Sequence, residues 1–320
     1  MDYFDGIVGQ DRALQILRRA LATGAINHAY LFTGPAGVGK RTAAWAFARA
    51  IVLGHDPEGE IYFREKVHPD FMLIEKPENK TSIAIEQINR EMEPWLAMKP
   101  YRAARRVVII HEAHLMSMPA ANALLKTLEE PPGYAVIILV TAEPNLMETI
   151  VSRCQLIRFS PATESDIRQI LIKRGLEDDD RLTNLARLGQ GSIAAAIQLA
   201  EEEGIEELWH TTRNMVKDLS AGGDVEVFKC AELMEKKPAM IAGMLAALLR
   251  DIYIFQTTGR RALLVVESNH DFYKEFKPLD PERVMTTLSQ MDKLSRQYRG
   301  PVNSLLLSIN ISYQLRDALK

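Results

Sequence analysis

An apolar run at residues 28–33 leads into Gly34-Pro35-Ala36-Gly37-Val38-Gly39-Lys40, and an amphipathic stretch at 41–53 follows. A G-x4-G-K string in that setting demands a strand, a tight turn and a helix in succession. Its amides and its lysine cradle phosphate only when the turn opens a helix N-terminus; a glycine-rich turn without a ligand is the alternative. The demand points to an α/β fold, and the surrounding periodicity agrees. Apolar runs predict strands at 28–33, 71–75, 106–110 and 136–140, with a possible last strand at 155–159. Amphipathic periodicity predicts helices between them at 10–23, 41–53, 83–98 and 119–129. Near-continuous apolar strands are the kind covered on both faces, so the sheet is expected to be mostly parallel and doubly wound.

After Ser160 no strong strand follows. Three short helices are expected at 163–174, 179–188 and 192–203, with Thr163 and Asp166 forming the helix-start signature at the first. From 205 onward the pattern is helical, broken near 220–224 and from Glu267 to Pro281. A length of 320 residues suggests about two domains. Motif placement divides the chain into three: an α/β domain at 1–160, a three-helix lid at 161–204 and an all-α domain at 205–320.

Hydrophobic residues make up 47% and charged residues 25%, which excludes disorder as the main theme. The longest uncharged apolar runs, 134–142 and 239–249, fall short of the ~20 residues a membrane span needs. The first ten residues lack the basic region of a secretory signal, so no membrane partner and a cytoplasmic location are expected. A net charge of −3 argues against gripping nucleic acid by bulk charge, while leaving room for a local basic patch. One such cluster, Lys99, Arg102, Arg105 and Arg106, reads better as the solvated approach to a buried strand than as a phosphate grip. Trp45, Trp95 and Trp209 read as packing residues, and Met116 and Met118 as space-filling ones.

The phosphate loop departs from its own pattern. Gly34, Gly37, Gly39 and Lys40 are in place, but the next position, where a hydroxyl would ligate magnesium, is Arg41. A guanidinium cannot ligate a cation. Thr42 is a poor substitute, because one step along a helix turns a side chain by about 100°. The apolar strand ending at Ile110 should lead into two acids. It leads into His111-Glu112-Ala113-His114, so the magnesium acid is replaced by histidine while Glu112 remains. That tetrad is not a zinc-peptidase motif, which needs histidines at i and i+4 on a helix.

Further strings belong with the loop: Ile7-Val8-Gly9-Gln10, the run from Asn27 to Phe32, His68-Pro69-Asp70, Asn122-Ala123-Leu124-Leu125-Lys126-Thr127-Leu128-Glu129-Glu130-Pro131-Pro132, and Ser152-Arg153-Cys154. Together they resemble the clamp-loader branch of the AAA+ ATPases, firmly over residues 1 to about 200 and loosely beyond. The resemblance implies a RecA-like P-loop domain with a parallel sheet, a small helical lid and an all-α collar. It implies a pentameric ring with motor subunits of the tau/gamma type and a delta-like clamp opener, loading a sliding clamp onto primed DNA for the replicative polymerase. Arg153 matches the arginine finger that reaches a neighbour's nucleotide, and a surface arginine paired with an acid is the alternative. Thr141 falls at the first sensor position, and Ala194 stands where a second sensor would be arginine.

Some relatives carry a four-cysteine zinc module at the position of residues 54–67. That stretch holds no cysteine, and the chain has only Cys154 and Cys230, so no zinc or other metal is expected. His55 and His68 are expected to be loop residues. ATP binding, if any, is expected to be weak, Glu112 is expected to be inactive, and no cofactor is required. Two rival readings stay open: an active motor ATPase, and a scaffold that binds no nucleotide and lends no finger.

Overall fold

The computed structural model describes residues 2–142, 146–266, 269–298 and 302–320. Glu267, where the expected second break begins, lies outside the described residues. The chain forms two compact units, Met1–Ile170 with Gly191–Ala194, and Leu171–Gln190 with Ala195–Lys320. The 161–204 segment, expected as one lid, is thus shared between them.

The first unit is built on five parallel strands, β1 (Ala29–Thr33), β2 (Phe71–Ile74), β3 (Arg106–Ile110), β4 (Ala135–Thr141) and β5 (Gln155–Arg158), in the order β2-β3-β4-β1-β5. All five coincide with the apolar runs to within a residue or two. β3 and β4 are buried at every position, because helices cover both faces. On one face α1 (Asp11–Thr23) and α2 (Lys40–Leu53) pack Leu14, Leu17, Phe47 and Ile51 onto Tyr30, Phe32, Val107 and Ile138. On the other, Ile88, Met92, Leu96, Leu124 and Leu128 pack onto Leu31, Val108, Ile110 and Ile137. Each such side chain, fully buried, contributes roughly 1.5–3 kcal/mol.

The segment expected as one helix at 83–98 is interrupted. A π-helical stretch, Gln87–Met92, runs into a short α-helix, Glu93–Ala97. Pro94 supplies the reason: it has no amide to donate, and its ring collides with the carbonyl four residues back, so the turn widens. Residues 54–67 also hold more order than expected. A 3-10 turn, Pro57–Gly59, leads into a one-turn helix, Glu60–Arg64, whose Phe63 stacks with Trp45 and Phe71 at 5.0 and 4.5 Å.

Helices Glu164–Lys173, Asp180–Leu188 and Ile193–Ala200 lie within a few residues of their expected positions. At the first, Thr163 and Asp166 cap each other reciprocally at 2.9 and 3.1 Å. The second unit is otherwise helical. Ile205–Ala221, Asp224–Met234, Pro281–Gln297 and Ser304–Leu319 surround the central helix Pro238–Thr258. That central helix is long and apolar enough to cross a membrane, the one such helix among the described residues, although it carries Arg250 and Asp251. Its apolar side chains Ile241, Leu245, Leu248 and Ile252 form the unit's core. Asp251 is buried in its middle and accepts from the Val265 and Val266 amides and the Tyr273 hydroxyl. Burial raises its carboxyl pKa above the ordinary range.

Candidate functional site

Parallel strands bring their C-terminal ends to one edge, where ligands of open α/β sheets sit. Gly34 follows β1 there, and Gly39 caps α2 in the left-handed region at φ 96°. Two glycines are forced by close approach as well as by positive φ. A Cβ at Gly34 would stand 2.2 Å from the Phe159 carbonyl oxygen, and one at Gly37 would stand 2.0 Å from Ser192 Oγ. The Gly191–Ala194 segment therefore rests directly on the loop, and the Ala194 amide donates to the Gly37 carbonyl at 3.1 Å.

Lys40 is 6% exposed. Its ammonium donates to the carbonyls of Gly34, at 2.7 Å, and of Pro35. Burial pulls its pKa down from 10.5 to about 8. Between those values the folded chain binds fewer protons than the unfolded one, so this group's contribution to stability rises with pH across that window. NMR titration of the Lys40 side chain is expected to give a midpoint near pH 8; a midpoint above 10 would show that the carbonyls offset the burial.

Arg41 points to the end of β2, where it pairs with Glu75 at 2.8 Å. His111 follows β3, and burial, reinforced by the nearby Arg41 charge, lowers its pKa, leaving a neutral imidazole at pH 7. Glu112 adopts φ 50°, a left-handed conformation rare for a residue with a side chain. Thr141 ends β4, 2% exposed, its hydroxyl 3.2 Å from His114 Nδ1. Thr42 is exposed on α2. One edge thus gathers Gly34, Gly37, Gly39, Lys40, Glu112 and Thr141. The two positions where magnesium would find its protein ligands, 41 and 111, offer it no oxygen, which the ion demands. A guanidinium occupies the hydroxyl's place and an imidazole the acid's. Among the described residues no cluster of three His, Cys, Asp or Glu side chains is arranged to hold a metal.

Arg153 lies elsewhere, just past a one-turn helix, Glu148–Val151. Its side chain is 34% exposed and bonds Glu129 at 2.5 Å and the Thr149 carbonyl at 2.9 Å. The surface pairing offered as an alternative is therefore present. Cys154 and Cys230 are free thiols whose pKa values burial pushes up to about 12 and about 11.

The basic cluster departs from expectation at Arg106. Arg106 is 5% exposed, lies 3.5 Å from Asp70 and stacks over Trp95, 4.6 Å from the ring centre. Asp70, fully buried, accepts the amides of Tyr101, Arg102 and Ala103 at 2.7–2.8 Å. Arg102 forks onto Asp56 at 2.6 and 2.9 Å and holds that carboxyl below its usual range. His68 Nδ1 accepts the Asp70 amide, so its Nε2 carries the proton and donates to Asp56 at 3.1 Å. His68 is thus a buried linker, as a loop reading could not show, and of the four basic residues Arg106 is buried while Arg102, at the surface, is tied to Asp56.

Residues 9–163 match the family model described as DNA polymerase III, delta subunit. The chain is 35% identical over 215 residues to the tau subunit of DNA polymerase III from Bacillus subtilis, 64% of this chain and 34% of that protein. It is 33% identical over 192 residues to the delta' subunit from Pseudomonas aeruginosa, 56% of this chain and 57% of that one. The delta' subunit of Bacillus subtilis is 30% identical over 206 residues, covering 62% and 61%. The chain thus spans about a third of the first of these relatives and less than two thirds of the others. A solved point variant of RuvB from Thermotoga maritima has a similar fold at TM-score 0.50 and 17% identity, covering 96% of this chain and 90% of that one. Over residues 9–163 the chain is similar to the clamp-loader subunits of DNA polymerase III.

Proposed function

We propose that this chain is a delta-prime-type subunit of the DNA polymerase III clamp loader, which keeps the shape of an ATPase, has lost hydrolysis, and lends Arg153 to a neighbour's nucleotide. The observation that carries the reading is the pairing of Arg41 with Glu75 beside a neutral His111, which puts a fixed cation and an imidazole where hydrolysis needs magnesium. The disabled side belongs to the chain's own nucleotide loop, while Arg153 stands on a different, outward segment. In this reading residues 1–160, 161–204 and 205–320 serve as nucleotide-type domain, lid and collar. The ring partners are tau/gamma-type motors and a delta-type clamp opener, acting in the cytoplasm on a sliding clamp and primed DNA. ATP, if held, is held weakly and without magnesium chemistry.

The second reading, an active motor, draws on Lys40, Glu112 and Thr141 gathered at one edge and on the similarity to tau. One experiment separates them. The purified chain, alone and mixed with its tau-type and delta-type partners, is assayed for assembly, ATP turnover and clamp loading. No turnover alone, together with loading that requires the chain in the ring, is the expected result. Turnover by the chain alone that Lys40→Ala abolishes would establish the motor instead.

A further inference from the structure

Two strings stand far apart in sequence, the one ending in Glu129-Glu130 and the one containing Ser152-Arg153-Cys154. They meet in space where Glu129 contacts Arg153. Glu129 is the last residue of the helix Met118–Glu129, and its Oε1 accepts from Arg153 Nη2 at 2.5 Å. The Thr149 carbonyl accepts from Nη1 at 2.9 Å, so the guanidinium is gripped at both terminal nitrogens from within its own chain.

We infer that Glu129 is the positioning residue for Arg153, fixing the guanidinium so that its remaining donors face an anionic phosphoryl group held by another chain. This rests on the finger reading above. An arginine side chain free in solvent samples many rotamers, and that freedom is lost when it binds. A guanidinium offers five N–H donors, and the two internal bonds use one from each terminal nitrogen, leaving three for an external acceptor. The contact is therefore compatible with reaching outward, and it removes part of the entropy of doing so. The carboxylate does not bury the arginine, since Glu129 is 52% exposed and Arg153 34%. The bond is also charge-assisted and short, which fixes direction better than a neutral one.

The test uses the complex reconstituted with the cognate tau-type ATPase and delta-type subunits, with ATP as the nucleotide. Four versions are compared, the unchanged chain, Glu129→Ala, Glu129→Gln and Arg153→Ala, by assembly and by the split between kcat and KM. Glu129→Ala is expected to lower kcat by about tenfold or more, the range in which misplaced groups cost rate, with KM for ATP and assembly unchanged. Glu129→Gln keeps an acceptor oxygen in the same place and is expected to restore most of that loss. If Arg153→Ala lowers kcat and Glu129→Ala does not, the positioning role is wrong and the finger stands. Should neither variant change kcat, the finger itself is wrong. A loss in Glu129→Ala that appears in KM or in assembly, or one that glutamine leaves unrepaired, would also overturn the inference.

Discussion

Replacing Arg153 with alanine is expected to lower ATP turnover of the assembled clamp loader by about 10³-fold or more, the lower end of what arginine fingers supply. The size follows from where the charge acts. A guanidinium delivered to a transferring phosphoryl group stabilises negative charge in a site screened from water, where electrostatic stabilisation is strongest. In the isolated chain the same residue makes only a half-exposed ion pair and one carbonyl bond, worth about 1 kcal/mol or less. Folding and assembly should therefore be untouched, and a single-turnover ATPase assay on the complex, beside its elution volume, checks both. A change of less than about threefold would leave the surface pair as the whole role of Arg153 and favour the scaffold reading. Arg153→Lys keeps the charge but loses the planar fork and is expected to recover little.

The largest effect on stability is expected at Asp70. It is fully buried, accepts three consecutive backbone amides and lies beside Arg106, itself 5% exposed. Asp70→Ala orphans those amides and leaves a buried cation without its counter-charge. Removing one partner of a buried pair costs about 3–5 kcal/mol. Denaturation followed by the fluorescence of Trp45 and Trp95, which lie in the α/β unit, would register the loss. Asp70→Asn keeps one acceptor oxygen and should lose less. By contrast, removing Asp292 from its exposed pair with Arg296 should cost about 0.5 kcal/mol or less. Equal losses at the two sites would refute the buried-network account.

The contrast between Asp70 and the strands marks what the sequence could reveal. β3 and β4 were legible because a strand covered on both faces reads as an unbroken apolar run, and burial at every position bears that out. The phosphate loop was legible because strand, turn and helix are contiguous. The expected solvation failed at Arg106, and the tether on the exposed Arg102 went unseen, for the opposite reason. Their partners, Asp56 and Asp70, lie more than thirty residues upstream, and spacing carries no record of which acid folds onto which base. The bond between Glu129 and Arg153 was hidden in the same way, across 24 residues. Pro94 was visible throughout, but a local widening of the helix is a smaller response than the break a proline usually signals, and periodicity alone reads through it.

The strand order has a consequence for how the chain is made. β1 sits between β4 and β5, so neither of its neighbours exists until residues 135–141 have been synthesised. The first pairing on offer as the polypeptide leaves the ribosome is β2 with β3, at the far edge of the sheet. Through roughly a hundred residues of elongation, at about 5–20 residues per second, Tyr30-Leu31-Phe32 waits with no strand to join. A nascent chain halted before β4 would leave that apolar strand without either neighbour, an unpaired edge open to pairing with another chain.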